Sequence, residues 1–175
     1  DTLFTSFCCS FVATPVLYRL QNVDGPGQAL VNPYTGSVAL CARLAKQGQS
    51  IPVYEDGQIV RDFVFIDDVA SAIVAGVLHS PAAAVPYDIG LGERTTIMQV
   101  AQAIAEHYGA PAPHVTGQFR DGDVRAAWAD TARARQALDW EPRVGVTEGI
   151  NRLCDWIDAQ QEAVPSAPSV TATEV

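Results

Sequence analysis

Arg61-Asp-Phe-Val-Phe-Ile66 runs without a break into Asp67-Asp-Val-Ala-Ser-Ala-Ile-Val-Ala-Gly-Val-Leu78, and this join decides the fold class. The first six residues alternate as a β-strand does. The next twelve carry small and branched residues at helical spacing, with Asp67 or Asp68 placed to cap the helix. The paired carboxylates are better explained as a helix start than as an acid and base pair. A strand feeding a helix directly is the unit of an α/β chain.

The segments on either side repeat the pattern. Upstream, Ile51-Pro-Val-Tyr54 and Gln58-Ile-Val60 flank Glu55-Asp56-Gly57, where Asp-Gly favours a turn with positive φ, so a small hairpin is expected. Before it, Ser37 to Gln47 places Val38, Cys41, Ala42 and Ala45 on one helical face and stops at Gly48. Pro15 to Val23 has the length and apolar content of a buried parallel strand and stops at Gly25-Pro26-Gly27. Residues 1–14 show no period and stay unassigned.

Downstream, Val85 to Ile89 is a further extended run, and Thr96-x-x-Gln99 fits a capping box ahead of a helix over Ile97 to Tyr108. Asp130 is placed to cap a short helix ending at Leu138. Val146 to Glu162 reads as a last helix with Ile150, Leu153, Cys154, Trp156 and Ile157 near one face. The composition of residues 163–175 predicts a disordered tail. Two or three strands make a poor sheet alone, and the chain begins at Asp1 rather than methionine, so it is read as a fragment whose sheet is completed by an upstream segment.

Composition narrows the function. The 175 residues are 48% hydrophobic and 18% charged, with a formal net charge of −9. Lys46 is the one lysine among eleven basic residues, and the arginines are scattered, so no basic stripe exists to displace counterions from a nucleic acid. Leu3 to Leu17 is too short to span a bilayer and has no cationic leader, so neither a membrane anchor nor a signal is expected and the cytoplasm is the default. Cys8, Cys9, Cys41 and Cys154 have no zinc-like spacing and read as small buried residues.

Several chemistries lack their residues in this sequence. A glycine fingerprint for a dinucleotide pyrophosphate would need a third glycine, and Gly25-Pro-Gly27 and Gly90-Leu-Gly92 each lack it. No tyrosine is followed four residues later by lysine, so the tyrosinate base of short-chain dehydrogenases has no candidate here. His79, His107 and His114 have no nucleophile elbow beside them and read as structural or solvated. The arginines near loops remain: Arg19, Arg61, Arg120 and Arg125. In an acidic chain an anion site is built from such specific guanidinium groups, each able to contribute about 1.5–3 kcal/mol through charge-assisted hydrogen bonds.

Six motifs occur in order: Arg19-Leu-Gln-Asn-Val-Asp-Gly-Pro-Gly27, Pro52-Val-Tyr-Glu-Asp-Gly57, Arg61-Asp-Phe-Val-Phe-Ile-Asp-Asp-Val69, Tyr87-Asp-Ile-Gly90, Gly122-Asp-Val-Arg-Ala-Ala-Trp-Ala-Asp130 and Leu138-Asp-Trp-Glu-Pro142. Together they resemble the second half of the extended short-chain dehydrogenase/reductase family of NAD-dependent sugar-nucleotide epimerases and dehydratases. The resemblance implies an α/β fold in which residues 15–162 supply the last strands of an incomplete Rossmann-type sheet plus a small α/β substrate-binding domain.

It further implies NAD as cofactor, bound mainly by an N-terminal half outside this chain together with the catalytic base, and a UDP- or dTDP-sugar as substrate. It admits a homodimer of the full-length enzyme. By that resemblance Asn22, with Asn32 as a weaker candidate, reaches the diphosphate or sugar, and Tyr54 beside Val53 packs on the nucleotide base. Arg61 grips the pyrophosphate. Arg120 adds a second phosphate contact, and Asp123 takes ribose hydroxyls; Arg125 is weaker still. Asp24 stands where the family usually has an aromatic residue, and Asp88 where it usually has asparagine. The implied reaction oxidises a sugar hydroxyl with NAD and returns the hydride to the other face, 4-epimerisation, with 4,6-dehydration and a non-enzymatic sugar-nucleotide-binding domain as alternatives.

Overall fold

The computed structural model describes residues 15–29, 37–79, 86–119 and 122–161. The expected tail and the unassigned first fourteen residues lie outside that set, as do Cys8 and Cys9.

The stretch expected as one strand is two, β1 (Tyr18–Leu20) and β2 (Asn22–Asp24), separated by Gln21. Successive peptide groups of an extended chain point to opposite edges, and this chain uses both. β1 pairs in parallel with β6 (Tyr87–Ile89), with Gln21 N donating to Ile89 O at 2.9 Å. β2 pairs in parallel with β5 (Phe63–Phe65), with Asn22 N donating to Asp62 O at 3.0 Å. The strand is parallel as expected but not buried throughout, since Leu20 is 45% exposed. The physical reason is the change of partner: each half has a strand on one edge only among the described residues.

β5 is buried along its whole length and divides two hydrophobic clusters. Phe63 faces one of them, with α1 (Ser37–Lys46), α3 (Ile97–Tyr108) and α5 (Val146–Gln161) contributing Ala42, Ile104 and Leu153. Val64 faces the other, with α2 (Ile66–His79), β6 and α4 (Ala132–Leu138) contributing Ala72, Ile89 and Leu138. A strand with apolar layers on both faces loses the polar-out alternation, as Phe-Val-Phe does. Cys41 and Cys154 are buried as expected, and burial pushes their thiols up to about 12 and about 11.

Local signals hold at several places. Thr96 Oγ1 accepts from Gln99 N at 3.1 Å while Gln99 Oε1 accepts from Thr96 N at 2.8 Å, a reciprocal cap worth about 1 kcal/mol. Gly109 ends α3 at φ 61°. Asp130 Oδ1 accepts from Ala132 N at 3.0 Å, although Thr131 is the residue that bounds α4.

Two expectations are corrected. The Asp56-Gly57 turn forms, with Gly57 at φ 77° and Gly57 N donating to Tyr54 O at 3.1 Å, but no hairpin ladder follows from it. β3 (Pro52–Val53) pairs instead with β8 (His114–Val115), and β4 (Val60–Arg61) with β7 (Thr95–Thr96). A two-residue turn fixes no register by itself, and the backbone groups of β3 and β4 are taken instead by strands from later in the chain. Asp67 and Asp68 lie inside the first turn of α2, not ahead of it. Asp68 is 4% exposed, and its carboxylate accepts from Arg143 N at 2.9 Å and Val144 N at 3.0 Å, tying the approach to α5 onto α2.

Candidate functional site

Two described stretches, His114 to Phe119 and Gly122 to Ala127, pass beside two separate strands. Thr116 N donates to Val53 O at 2.9 Å and Glu55 N donates to Gln118 O at 2.7 Å, fixing the first stretch along β3. Val60 N donates to Arg125 O, and Ala127 N to Val60 O, both at 3.0 Å, fixing the second along β4. Tyr54 at the end of β3 borders the first stretch and Arg61 at the end of β4 the second.

Tyr54 is 44% exposed. Val53 is not: its side chain is 2% exposed within the core, because the strand alternation that turns Tyr54 outward turns its neighbour inward. Val53 holds the strand in place and offers no surface to a base.

Arg61 is held by three hydrogen bonds. Its Nη1 donates to Val60 O at 2.9 Å and Val124 O at 2.6 Å, and its Nη2 donates to Asp123 Oδ1 at 2.7 Å. Among the described residues no hydrogen bond leaves its Nε, and the three bonds from Nη1 and Nη2 pre-orient the guanidinium. Arg61 and Asp123 are thus brought together. Asn22 begins β2, is exposed, and sits opposite Phe63, two residues along from Arg61. Asn32 and Arg120 lie outside the described residues.

Arg125 is engaged elsewhere. It donates to Glu55 Oε2 at 2.6 Å and to both Asp56 oxygens at 2.8 and 2.5 Å, and its guanidinium holds the Asp56 carboxyl down at about 2. It braces the turn beside Tyr54.

Asp62 was not singled out by sequence, yet it is fully buried. Its carboxylate accepts from Leu91 N at 2.8 Å, Gly92 N at 3.1 Å and Ala129 N at 3.2 Å. Burial raises its pKa, opposed by those three amides. Gly90 lies so close that a Cβ there would collide with the carboxylate, so Gly90-Leu-Gly92 is a cradle for Asp62. The signal in the sequence was an acidic residue at an inward position of an otherwise apolar strand. Adjacent residues Arg61 and Asp62 thereby hold opposite ends of the Gly122 to Asp130 motif.

The two unusual acidic residues also have environments. Asp88 is Arg19's register partner in the β1/β6 ladder and receives two hydrogen bonds from it, at 2.5 and 2.8 Å. Asp24 borders a crevice of about 20 Å³ lined by Phe63, Phe65, Val144 and Gly149, and burial pushes its carboxyl up to about 7.

The sequence profile of the GDP-mannose 4,6 dehydratase family matches residues 3–153. The chain belongs to that family. Among its relatives in the family's wider circle are a dTDP-L-rhamnose 4-epimerase of Burkholderia thailandensis and a UDP-glucose 4-epimerase of Mycolicibacterium smegmatis. The first is 53% identical over 145 residues, 82% of this chain and 40% of the relative. The second is 35% identical over 151 residues, 85% of this chain and 45% of the relative.

Solved structures of UDP-glucose 4-epimerases superpose on the chain. The UDP-glucose 4-epimerase of Thermotoga maritima, solved with UDP-glucose, superposes with a TM-score of 0.81 at 27% identity, over 91% of this chain and 51% of that one. The Thermus thermophilus UDP-glucose 4-epimerase, solved with NAD, gives 0.73 at 29% identity, over 90% and 50%. The α/β, Rossmann-type assignment stands, and the chain spans about half the length of the proteins it matches.

Proposed function

We propose that this chain is the sugar-nucleotide-binding, C-terminal part of an NAD-dependent sugar-nucleotide 4-epimerase, with a dTDP-sugar of the rhamnose type favoured over a UDP-sugar. The observation that carries this reading is the 53% identity to the dTDP-L-rhamnose 4-epimerase. A match covering 82% of the chain spans residues 54 to 123 wherever it begins. In this reading the exposed Tyr54 ring stacks on the base and the Nε edge of Arg61 meets the diphosphate. Asp123, held beside Arg61, accepts ribose hydroxyls, and Arg120, Asn22 and Asn32 complete the grip.

In this proposal the residues that hold NAD, the hydride acceptor, and the catalytic base lie outside this chain, so the chain alone binds sugar nucleotide without turning it over. The test joins it to the front part of the rhamnose 4-epimerase relative and follows dTDP- and UDP-sugars. The expected product is the 4-epimer of the dTDP-sugar. A chimera that folds and binds NAD but leaves both substrates unchanged would overturn the proposal, and a 4-keto-6-deoxy product would replace epimerisation by dehydration.

A further inference from the structure

The turn after β3 sets two carboxylates beside the residue read as the base contact. Glu55 takes φ 52°, in the left-handed region that a residue with a Cβ occupies only where its surroundings hold it, and Gly57 follows at φ 77°. Asp56 Oδ1 accepts from Gln58 N at 2.9 Å and Tyr54 O accepts from Gly57 N at 3.1 Å, so the turn closes on Tyr54 itself. Left alone, Glu55 and Asp56 would repel each other and any anion brought up beside Tyr54.

Arg125 offsets both repulsions. Its Nη1 donates to Glu55 Oε2 at 2.6 Å and to Asp56 Oδ1 at 2.8 Å, and its Nη2 donates to Asp56 Oδ2 at 2.5 Å. Its backbone O accepts from Val60 N at 3.0 Å. The two residues before it take the Arg61 guanidinium, Asp123 through Oδ1 at 2.7 Å and Val124 through O at 2.6 Å. Asp123, Val124 and Arg125 in succession therefore hold Arg61 at one end and the Tyr54 turn at the other. Stability alone does not account for the arrangement, because the Arg125 and Asp56 side chains are 53 and 56% exposed and ion pairs open to water add little to folding. What a planar guanidinium fixed on two carboxylates supplies is direction and distance.

We propose that Arg125 is a positioning residue: it sets the Tyr54 ring at the spacing from Arg61 and Asp123 that a nucleoside diphosphate requires, without touching the nucleotide. The proposal rests on the functional reading above, which assigns base, diphosphate and ribose to those three residues. Its own content is that the base contact depends on a guanidinium anchored in the loop that holds the diphosphate contact.

The test is a double-mutant cycle on the full chain, read as dTDP affinity by calorimetry well below the lowest melt. Arg125→Ala is expected to weaken binding about tenfold in the parent background and less than about twofold in a Tyr54→Ala background, since a residue acting through Tyr54 then has nothing to position. Arg125→Lys, a point charge without the planar fork, should recover only part of the loss. Glu55→Gln with Asp56→Asn releases Arg125 from the other side and should also weaken binding in about 0.5 M salt, where the loss of two negative charges is screened. Unchanged affinity for Arg125→Ala overturns the proposal, as does an equal loss in both backgrounds. Tighter binding after the carboxylates are removed overturns it too, because it would mean a released Arg125 grasps the nucleotide directly. A parent chain that leaves dTDP unbound overturns the functional reading and this proposal with it, whereas a parent that binds dTDP with additive variants overturns this proposal alone.

Discussion

Arg61 donates from Nη2 to Asp123 Oδ1 at 2.7 Å, joining a strand end to a loop 62 residues later. The arginine side chain is 16% exposed and the aspartate 37%, so the guanidinium is held in place from the protein side while the carboxylate keeps access to solvent. Fixing the arginine before a ligand arrives lowers the ordering cost of binding.

Arg61→Ala is therefore expected to weaken dTDP and UDP binding by about tenfold or more, the scale of one lost charge-assisted hydrogen bond. Asp123→Ala should weaken binding less, and the double variant should fall short of the product of the two effects, because the residues form one unit. Calorimetric titration of the four proteins reads both. Equal affinity for the parent and Arg61→Ala would remove Arg61 from the diphosphate site.

Replacing Asp62 by alanine leaves the amides of Leu91, Gly92 and Ala129 buried without an acceptor. A loss of roughly 3 kcal/mol or more is expected in urea unfolding, since each orphaned buried donor costs about 1–3 kcal/mol. Asp62→Asn keeps one acceptor oxygen and should lie between the two. A variant as stable as the parent would show that other groups satisfy those amides.

The pH dependence of stability should carry the mark of Asp24. Its folded pKa of about 7 lies above the ordinary 3.8, so the folded chain holds the proton more tightly than the unfolded chain does. The corresponding stabilisation is complete below about pH 4 and is lost as the pH rises toward and through 7. Asp24→Asn should thus leave the melt unchanged near pH 4 and raise stability above pH 7 by an amount on the order of 1–3 kcal/mol. Identical pH profiles for the two proteins would place the aspartate in water.

Asp88→Asn tests the opposite kind of carboxylate. Arg19 is 65% exposed, and such pairs gain little over their hydrated partners. The variant should melt within about 2 °C of the parent and show less sensitivity to salt. A shift well beyond that would mean the pair holds the β1/β6 ladder together.

Much of this was legible in the residues. The Arg61 to Leu78 join gave extended chain followed by helix, but the one strand expected over Arg61 to Ile66 divides at Asp62 into β4 and β5, which have different partners, and Ile66 already belongs to α2. Thr96 and Gln99 declared a cap through chemistry local to three residues. What could not be read depended on partners far along the chain: Val53 pairs with Val115, and Arg61 with Thr95, so a hairpin inferred from Asp56-Gly57 had no way to register the competing strands. Asp62 escaped notice for the same reason, since the amides that donate to it begin 29 residues downstream. Arg61 was one of four arginines near loops, Tyr54 and Asp123 were named only through the resemblance, and the structure sets Arg61 and Asp123 in contact while turning Val53 inward.

The switch of partners at Gln21 also sets what this chain can tolerate in length. Residues Tyr18 to Asp24 are threaded between one strand on the left edge of their first half and another on the right edge of their second. A single inserted or deleted residue anywhere from Arg19 to Val23 would move side chains to the wrong face and break one ladder to preserve the other. Asn22 is thereby held at a fixed number of residues from Tyr18. Insertions would be expected to accumulate beyond Gly27 and to be absent from this seven-residue span, a pattern that deep mutational scanning with single-codon insertions would display directly.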